Sequence, residues 1–185
     1  VMPVAVARAW TGLPMDPAPG VERMVARYLA AFGPAGIRDL STWSGLPQRL
    51  LRPAVERLGG RLRTYRDEQG RQLFDVPDAP LADPELPAPA RFLPGYDNLI
   101  LSHADRSRVI SDAERPRVSS GAVVQPTFLV DGFVRGVWSL EGPVLRIHPF
   151  RPLPEADTAA LLAEADHLAA FVADEGTEPR VEFSV

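Results

Sequence analysis

QRLLRPAVERLGGRLRTYRDEQGRQLFDV, residues 48–76, is the stretch on which the fold turns. Within 48–58, Leu50, Leu51, Ala54, Val55 and Leu58 fall on one face at helical spacing, and Arg49, Arg52 and Glu56 on the other. Pro53 removes a backbone donor, so it is expected in the first turn or at a kink. Gly59-Gly60 ends the helix. RLRTYR and RQLFDV then read as two short strands around Asp67-Glu68-Gln69-Gly70, a hairpin signal.

Working upstream, VERMVARYLAAF (21–32) places Val21, Met24, Val25, Tyr28, Leu29 and Phe32 at helical spacing, and Gly33-Pro34 stops it. A second short helix fits IRDLSTWSG (37–45), with Ile37, Leu40 and Trp43 on one side and Gly45 at the end. Residues 1–20 hold four prolines and read as an extended lead-in. Helix, helix, turn, helix, hairpin is the winged-helix order, so residues 1–76 are expected to form a lead-in and a winged helix. Such a module reads DNA by placing helix 48–58 in the major groove and the hairpin on the backbone. The plainer alternative is a winged helix used only for protein contacts or architecture.

Charge favours the DNA reading. The net charge is −4, which argues against a uniformly nucleic-acid-coated surface. Yet residues 47–71 carry seven arginines against three acids. A local basic patch on an acidic body is a stronger signal for nucleic acid than bulk charge. Arg49, Arg52, Arg61 and Arg63 are the expected phosphate contacts of that patch.

Residue usage excludes several chemistries. All twenty basic residues are arginine, so no lysine can form a Schiff base. Cysteine is absent, which closes disulfide, thiol and Cys-zinc chemistry. His103, His148 and His167 are far apart and have no metal-ligand spacing, so neither metal nor cofactor is implied. No apolar run approaches the roughly 18 residues of a membrane span. No secretory signal is visible in residues 1–20, and a cytoplasmic location is expected. With Val1 ahead of Met2, the chain reads as a piece of a longer one.

PDAPLADPELPAPA, residues 77–90, has five prolines and reads as a stiff connector. Beyond it, residues 91–185 are expected to form a second unit. VVQPTFLV and FVRGVWSL flank Asp131-Gly132, a strong hairpin signal, with Pro126 making the first strand an edge or bulged one. VLRIHPF reads as a third strand. A helix over roughly 155–174 carries Leu161, Leu162, Ala165, Leu168, Ala169 and Val172 as its apolar stripe. RVEFSV is a candidate last strand. The expectation is α+β overall, with this unit a small antiparallel β-barrel or curled sheet closed by a helix.

RFLPGYDNLILSHADRSRV, residues 91–109, admits two readings. In one it is a polar joint: Asp97, Asp105, Arg106 and Arg108 pair or cap short helices, while Tyr96 and Leu99 fill the core. In the other, His103, Arg106 and Arg108 line a DNA-facing surface. Asp97 and Asp105 are a weak acid/base pair, because no nucleophile accompanies them. Arg135 reads as an ordinary solvent-facing arginine and His148 as structural. Trp10, Trp43 and Trp138 read as core or interface anchors.

Three segments also carry a family likeness: RYLAAFGPAGIRDLSTWSGLP (27–47), FLPGYDNLILSHADRSRV (92–109) and LVDGFVRGVW (129–138). Together they resemble the actinobacterial winged-helix DNA-binding proteins related to the AlkZ/YcaQ DNA glycosylases, over nearly the whole chain. The resemblance implies a longer parent, with tandem winged helices and a small β-barrel around duplex DNA, that excises alkylated bases, including interstrand crosslinks. It also implies a Gln-x-Gln or Gln-x-Asp motif that positions the attacking water. Gln48, Gln69, Gln72 and Gln125 form neither pattern, so no catalytic residue carries over. The alternatives are a non-catalytic interaction module and a transcription regulator.

Overall fold

In a computed structural model, which describes residues 4–14, 20–80, 82–173 and 178–184, the chain separates into two units, residues 1–79 and 80–185. The first holds α1 (Ala7–Thr11), α2 (Val21–Phe32), α3 (Ile37–Ser44), α4 (Gln48–Leu58) and an antiparallel pair, β1 (Arg63–Arg66) and β2 (Gln72–Asp75). Its core draws Val25, Tyr28 and Leu29 from α2, Leu40 from α3, and Leu51, Ala54, Val55 and Leu58 from α4. Burying each large apolar side chain stabilises the unit by about 1.5–3 kcal/mol. The turn between α2 and α3 is stitched to the hairpin, for Ala35 and Phe74 exchange two backbone hydrogen bonds of 2.9 Å. Gly33 is required there by close approach: a Cβ would lie 2.2 Å from Asp75 Oδ1.

Four local expectations are corrected in this unit. The lead-in is not wholly extended, because residues 7–11 form a short helix closed by Gly12 in the left-handed region. Trp10 on that helix is 82% exposed and anchors no core. Leu50 is 47% exposed and leaves the apolar face of α4. Pro53 is the sixth residue of α4, beyond the first turn, and the helix continues to Leu58. It is tolerated because it lies on the exposed face, where the freed Arg49 carbonyl can be hydrated.

The second unit holds β3 (Arg91–Leu93), α5 (Asn98–Leu101), α6 (Arg115–Val118), β4 (Ser119–Ser120), β5 (Val123–Val124), β6 (Thr127–Val130), β7 (Phe133–Glu141), β8 (Val144–Pro149), α7 (Glu155–Val172) and β9 (Arg180–Phe183). Its sheet has the order β3-β6-β7-β8-β9, and β4-β5 is a separate small pair. The expected barrel is therefore overturned: the sheet is open, and its edges β3 and β9 do not pair among the described residues. It is not wholly antiparallel either, since β9 runs parallel to β8 after the α7 crossover. The physical reason is coverage. Helix α7 buries Leu161 and Ala165 with Phe128, Leu145 and Ile147, so that face is covered without closure. A separate cluster, Ile100, Ile110, Val118, Leu129 and Val134, is built from the 98–118 segment and the sheet.

Pro126 splits the first predicted strand into β5 and β6. Strand β6 is fully buried and central rather than an edge. The irregularity falls on its pairing with β7, where Phe128 faces Gly136 but Leu129 faces Val134. Arg135 is thereby left as the extra residue of a bulge. Asp131 and Gly132, both at positive φ, make the tight turn between these strands. Residues 77–90 form turns, with no helix or strand among those described.

Candidate nucleic-acid interface

In the first unit, the structure sorts the seven arginines of the basic patch into two kinds. Three are engaged within the fold. Arg57 pairs with Glu22 and, chiefly through that hydrogen bond, holds the Glu22 carboxyl below its ordinary pKa. Arg66 Nη1 donates to the Gly70 carbonyl at 2.8 Å. Arg71 pairs with Asp67, whose Oδ1 also accepts from the Gln69 and Arg71 amides at 3.0 and 2.8 Å. Burial acts to raise the Asp67 carboxyl, but these bonds and the Arg71 charge together hold it below its ordinary value.

All seven are exposed, and the other four hold no ion pair among the described residues. Arg52 donates to Gln48 Oε1 at 3.0 Å on the exposed side of α4. Arg49, Arg61 and Arg63 sit on α4, on the turn after it and on β1, so the patch follows one helix into one hairpin.

In the second unit, residues 94–110 build a set of turns. Asp97 caps α5, its Oδ1 accepting from the Leu99 amide at 2.8 Å. Asp105 is exposed and accepts from the Ser107 amide and hydroxyl at 3.1 and 2.7 Å. Tyr96 and Leu99 do not fill the core: they are 56% and 41% exposed, and Ile100 takes the buried position. Tyr96 has φ 62°, with its hydroxyl donating to the Ala122 carbonyl at 2.8 Å. His103 is half-buried, with Nδ1 2.8 Å from Ser102 Oγ. Arg106 Nε donates to the His103 carbonyl at 3.2 Å. Partial burial, and then the charge of Arg115, lower the Arg106 pKa. Arg108 is exposed.

Trp138 is held as an anchor, its Nε1 donating to the Leu93 carbonyl at 2.9 Å. Trp43 packs on Tyr28 with ring centroids 5.1 Å apart. His148 is exposed on β8 rather than packed. Among the described residues, no three acids or histidines are grouped to hold a metal, and no helix is long and apolar enough to cross a membrane.

Arginines on a helix-and-hairpin surface fit many proteins, and comparison narrows the field. Residues 3–171 match the family model described as DNA glycosylase AlkZ-like. The chain belongs to the AlkZ-like DNA glycosylase family. An interstrand DNA cross-link repair glycosylase of Streptomyces sahachiroi is 29% identical over 170 residues, covering 86% of this chain and 44% of that protein. The solved structure of Streptomyces sahachiroi DNA glycosylase AlkZ matches with a TM-score of 0.72 and 24% identity, covering 89% of this chain and 45% of that one. The mixed α+β fold is therefore shared with that AlkZ structure. The chain spans less than half the length of both relatives. The AlkZ-like match takes in α1 through nearly all of α7, and with them every arginine described above.

Proposed function

We propose that this chain is the DNA-binding part of a glycosylase-like protein that repairs alkylated or crosslinked bases in duplex DNA, with residues 77–90 as the connector between its two units. In this reading the first unit is a winged helix. Helix α4 enters the major groove, and the β1–β2 hairpin meets the backbone. The observation that carries it is one of bonding: Arg49, Arg52, Arg61 and Arg63 are exposed and hold no ion pair among the described residues, while Arg57, Arg66 and Arg71, though also exposed, are engaged by the fold itself. The wing tip is thus rigid, and the arginines at its base are available to phosphate. His103, Arg106 and Arg108 are further contacts offered by the second unit. The reading assigns no catalytic residue, metal or cofactor to these 185 residues, and it places the protein in the cytoplasm with its DNA.

The test is a salt titration of duplex binding by anisotropy. Replacing Arg49, Arg52, Arg61 and Arg63 with Ala is expected to weaken binding and to lower the log–log salt slope by about 0.9 for each phosphate that is no longer neutralised. Unchanged affinity and slope would sink the assignment. A second reading, a non-catalytic protein-docking module, draws on Leu50, which is exposed beside Pro53 on α4. In that case duplex binding would be absent.

A further inference from the structure

Backbone bonds and one stacked ring gather arginines from distant parts of the second unit. The Val134 amide donates to the Val109 carbonyl at 2.8 Å, bringing β7 against the segment that carries Arg106 and Arg108. One residue on, the Arg135 carbonyl accepts from the Phe150 amide at 2.8 Å. Arg117 lies over the Phe150 ring, 4.1 Å from its centroid, and its Nη1 donates to the Phe150 carbonyl at 3.2 Å. Arg151 follows Phe150 directly.

Two of these side chains, Arg117 and Arg135, lie against aromatic rings. The β7 bulge leaves Arg135 without a partner on β6, and its guanidinium stands 5.7 Å from the Phe133 ring. A guanidinium stacked on an aromatic face keeps its in-plane N–H donors open, a geometry matched to phosphate oxygens. Less side-chain freedom then remains to be given up on binding. The carboxylate placed against the group is Glu114, which bonds Ser111 Oγ at 2.9 Å and lies 3.5 Å from Arg151. Arg117 and Arg135 hold no ion pair among the described residues. Arg115 sits on α6 two residues before Arg117, and after burial its charge is the second cause that lowers the Arg106 pKa.

We propose that the second unit carries its own phosphate-binding surface, formed by Arg115, Arg117, Arg135 and Arg151 around Phe150, which grips the duplex backbone without reading sequence. This rests on the DNA-binding reading of the family but not on the winged-helix assignment. Contacts of this kind fix register and add affinity while carrying no base information. Within residues 105–117 four arginines, Arg106, Arg108, Arg115 and Arg117, stand against three acids, Asp105, Asp112 and Glu114, and Asp105 accepts from Ser107.

The experiment uses the full chain and a labelled duplex, read as affinity against salt. Four proteins are compared: wild type; Arg115, Arg117, Arg135 and Arg151 all to Gln; Arg49, Arg52, Arg61 and Arg63 all to Gln; and the two sets combined. The second-unit set is expected to lower the slope by about 0.9 for each phosphate it no longer neutralises, whether or not the first-unit set does. Lysine at the same four positions should retain most of the slope. Should the fourfold Gln variant melt early, Arg135→Gln with Arg151→Gln carries the test, since both side chains are exposed.

A second-unit variant that binds like wild type, beside a first-unit variant that does not, overturns this proposal and leaves the winged-helix reading standing. The reverse pattern overturns the winged-helix reading and supports this one. A wild-type chain with no salt-dependent binding overturns both.

Discussion

A methyl group added at Gly136 would sit 2.3 Å from Phe128 Cε1 and 2.4 Å from the His148 carbonyl oxygen. Neither neighbour can retreat, for Phe128 is fully buried and the other atom is strand backbone. Gly136→Ala is expected to destabilise the protein by about 1–3 kcal/mol, as overpacking does. Gly33→Ala should act similarly through Asp75 and the Leu29 carbonyl. Chemical denaturation of both variants checks this; midpoints equal to wild type would contradict it. Tyr28 offers a pH signature. Its phenol is fully buried, and desolvation, then the nearby Asp39 charge, raise its pKa well above the ordinary 10.0. The folded state therefore holds the proton more tightly than the unfolded state. Stability is complete below pH 10 and falls as pH rises past it, because only the unfolded phenol ionises. Tyr28→Phe should flatten that alkaline decline in stability–pH curves, even if it lowers stability at neutral pH. At this scale the sequence was a poor guide to Tyr96 and Leu99. A four-residue helix has too little period to say which side is inward, and the Tyr96 bond to Ala122 joins positions far apart in the chain.

Elements defined by local rules were legible. The bounds of α2 and α4 coincide with the apolar spacing and its Gly and Pro punctuation, because both signals act within one turn of the chain. The open sheet was not legible, since closure depends on which edges meet, a non-local matter. The β9 strand could have paired antiparallel, but the 18-residue α7 before it supplies the crossover that parallel pairing needs. The hairpin was predicted from Asp67–Gly70, though not the reason its tip is firm. Asp67 accepts two tip amides and pairs with Arg71. Asp67→Ala should therefore speed amide exchange at Gln69 and Arg71 while leaving α2 protected. Because the folded Asp67 pKa lies below 3.8, its contribution is present above that pH and is lost as pH falls through the folded value. Acidification should loosen the same two amides in wild type. Uniform exchange across the unit would count against the tip being a separate device.

At the scale of the whole chain, family membership alone does not say which of these residues would carry chemistry. Cleaving an N-glycosidic bond needs a positioned water or nucleophile and stabilisation of the cationic sugar that develops. The resemblance assigns the water to a Gln-x-Gln or Gln-x-Asp motif, and Gln48, Gln69, Gln72 and Gln125 form neither. Gln48 instead accepts from Arg52, and Gln125 Nε2 donates to the Arg117 carbonyl at 3.0 Å. A lysine route is closed by composition. Asp97 and Asp105 are the remaining local candidates, and each is occupied in a turn, one capping α5 and the other bonding Ser107. The chain alone is therefore expected to release no base. The assay incubates it with duplexes carrying 7-methylguanine or an interstrand crosslink, then cleaves abasic sites with alkali. Strand breaks at the no-protein level are the expected result, alongside measurable binding to the same duplexes. Breaks above that level, abolished by Asp97→Ala or Asp105→Ala, would make residues 91–109 an active site and overturn the division between binding and catalysis.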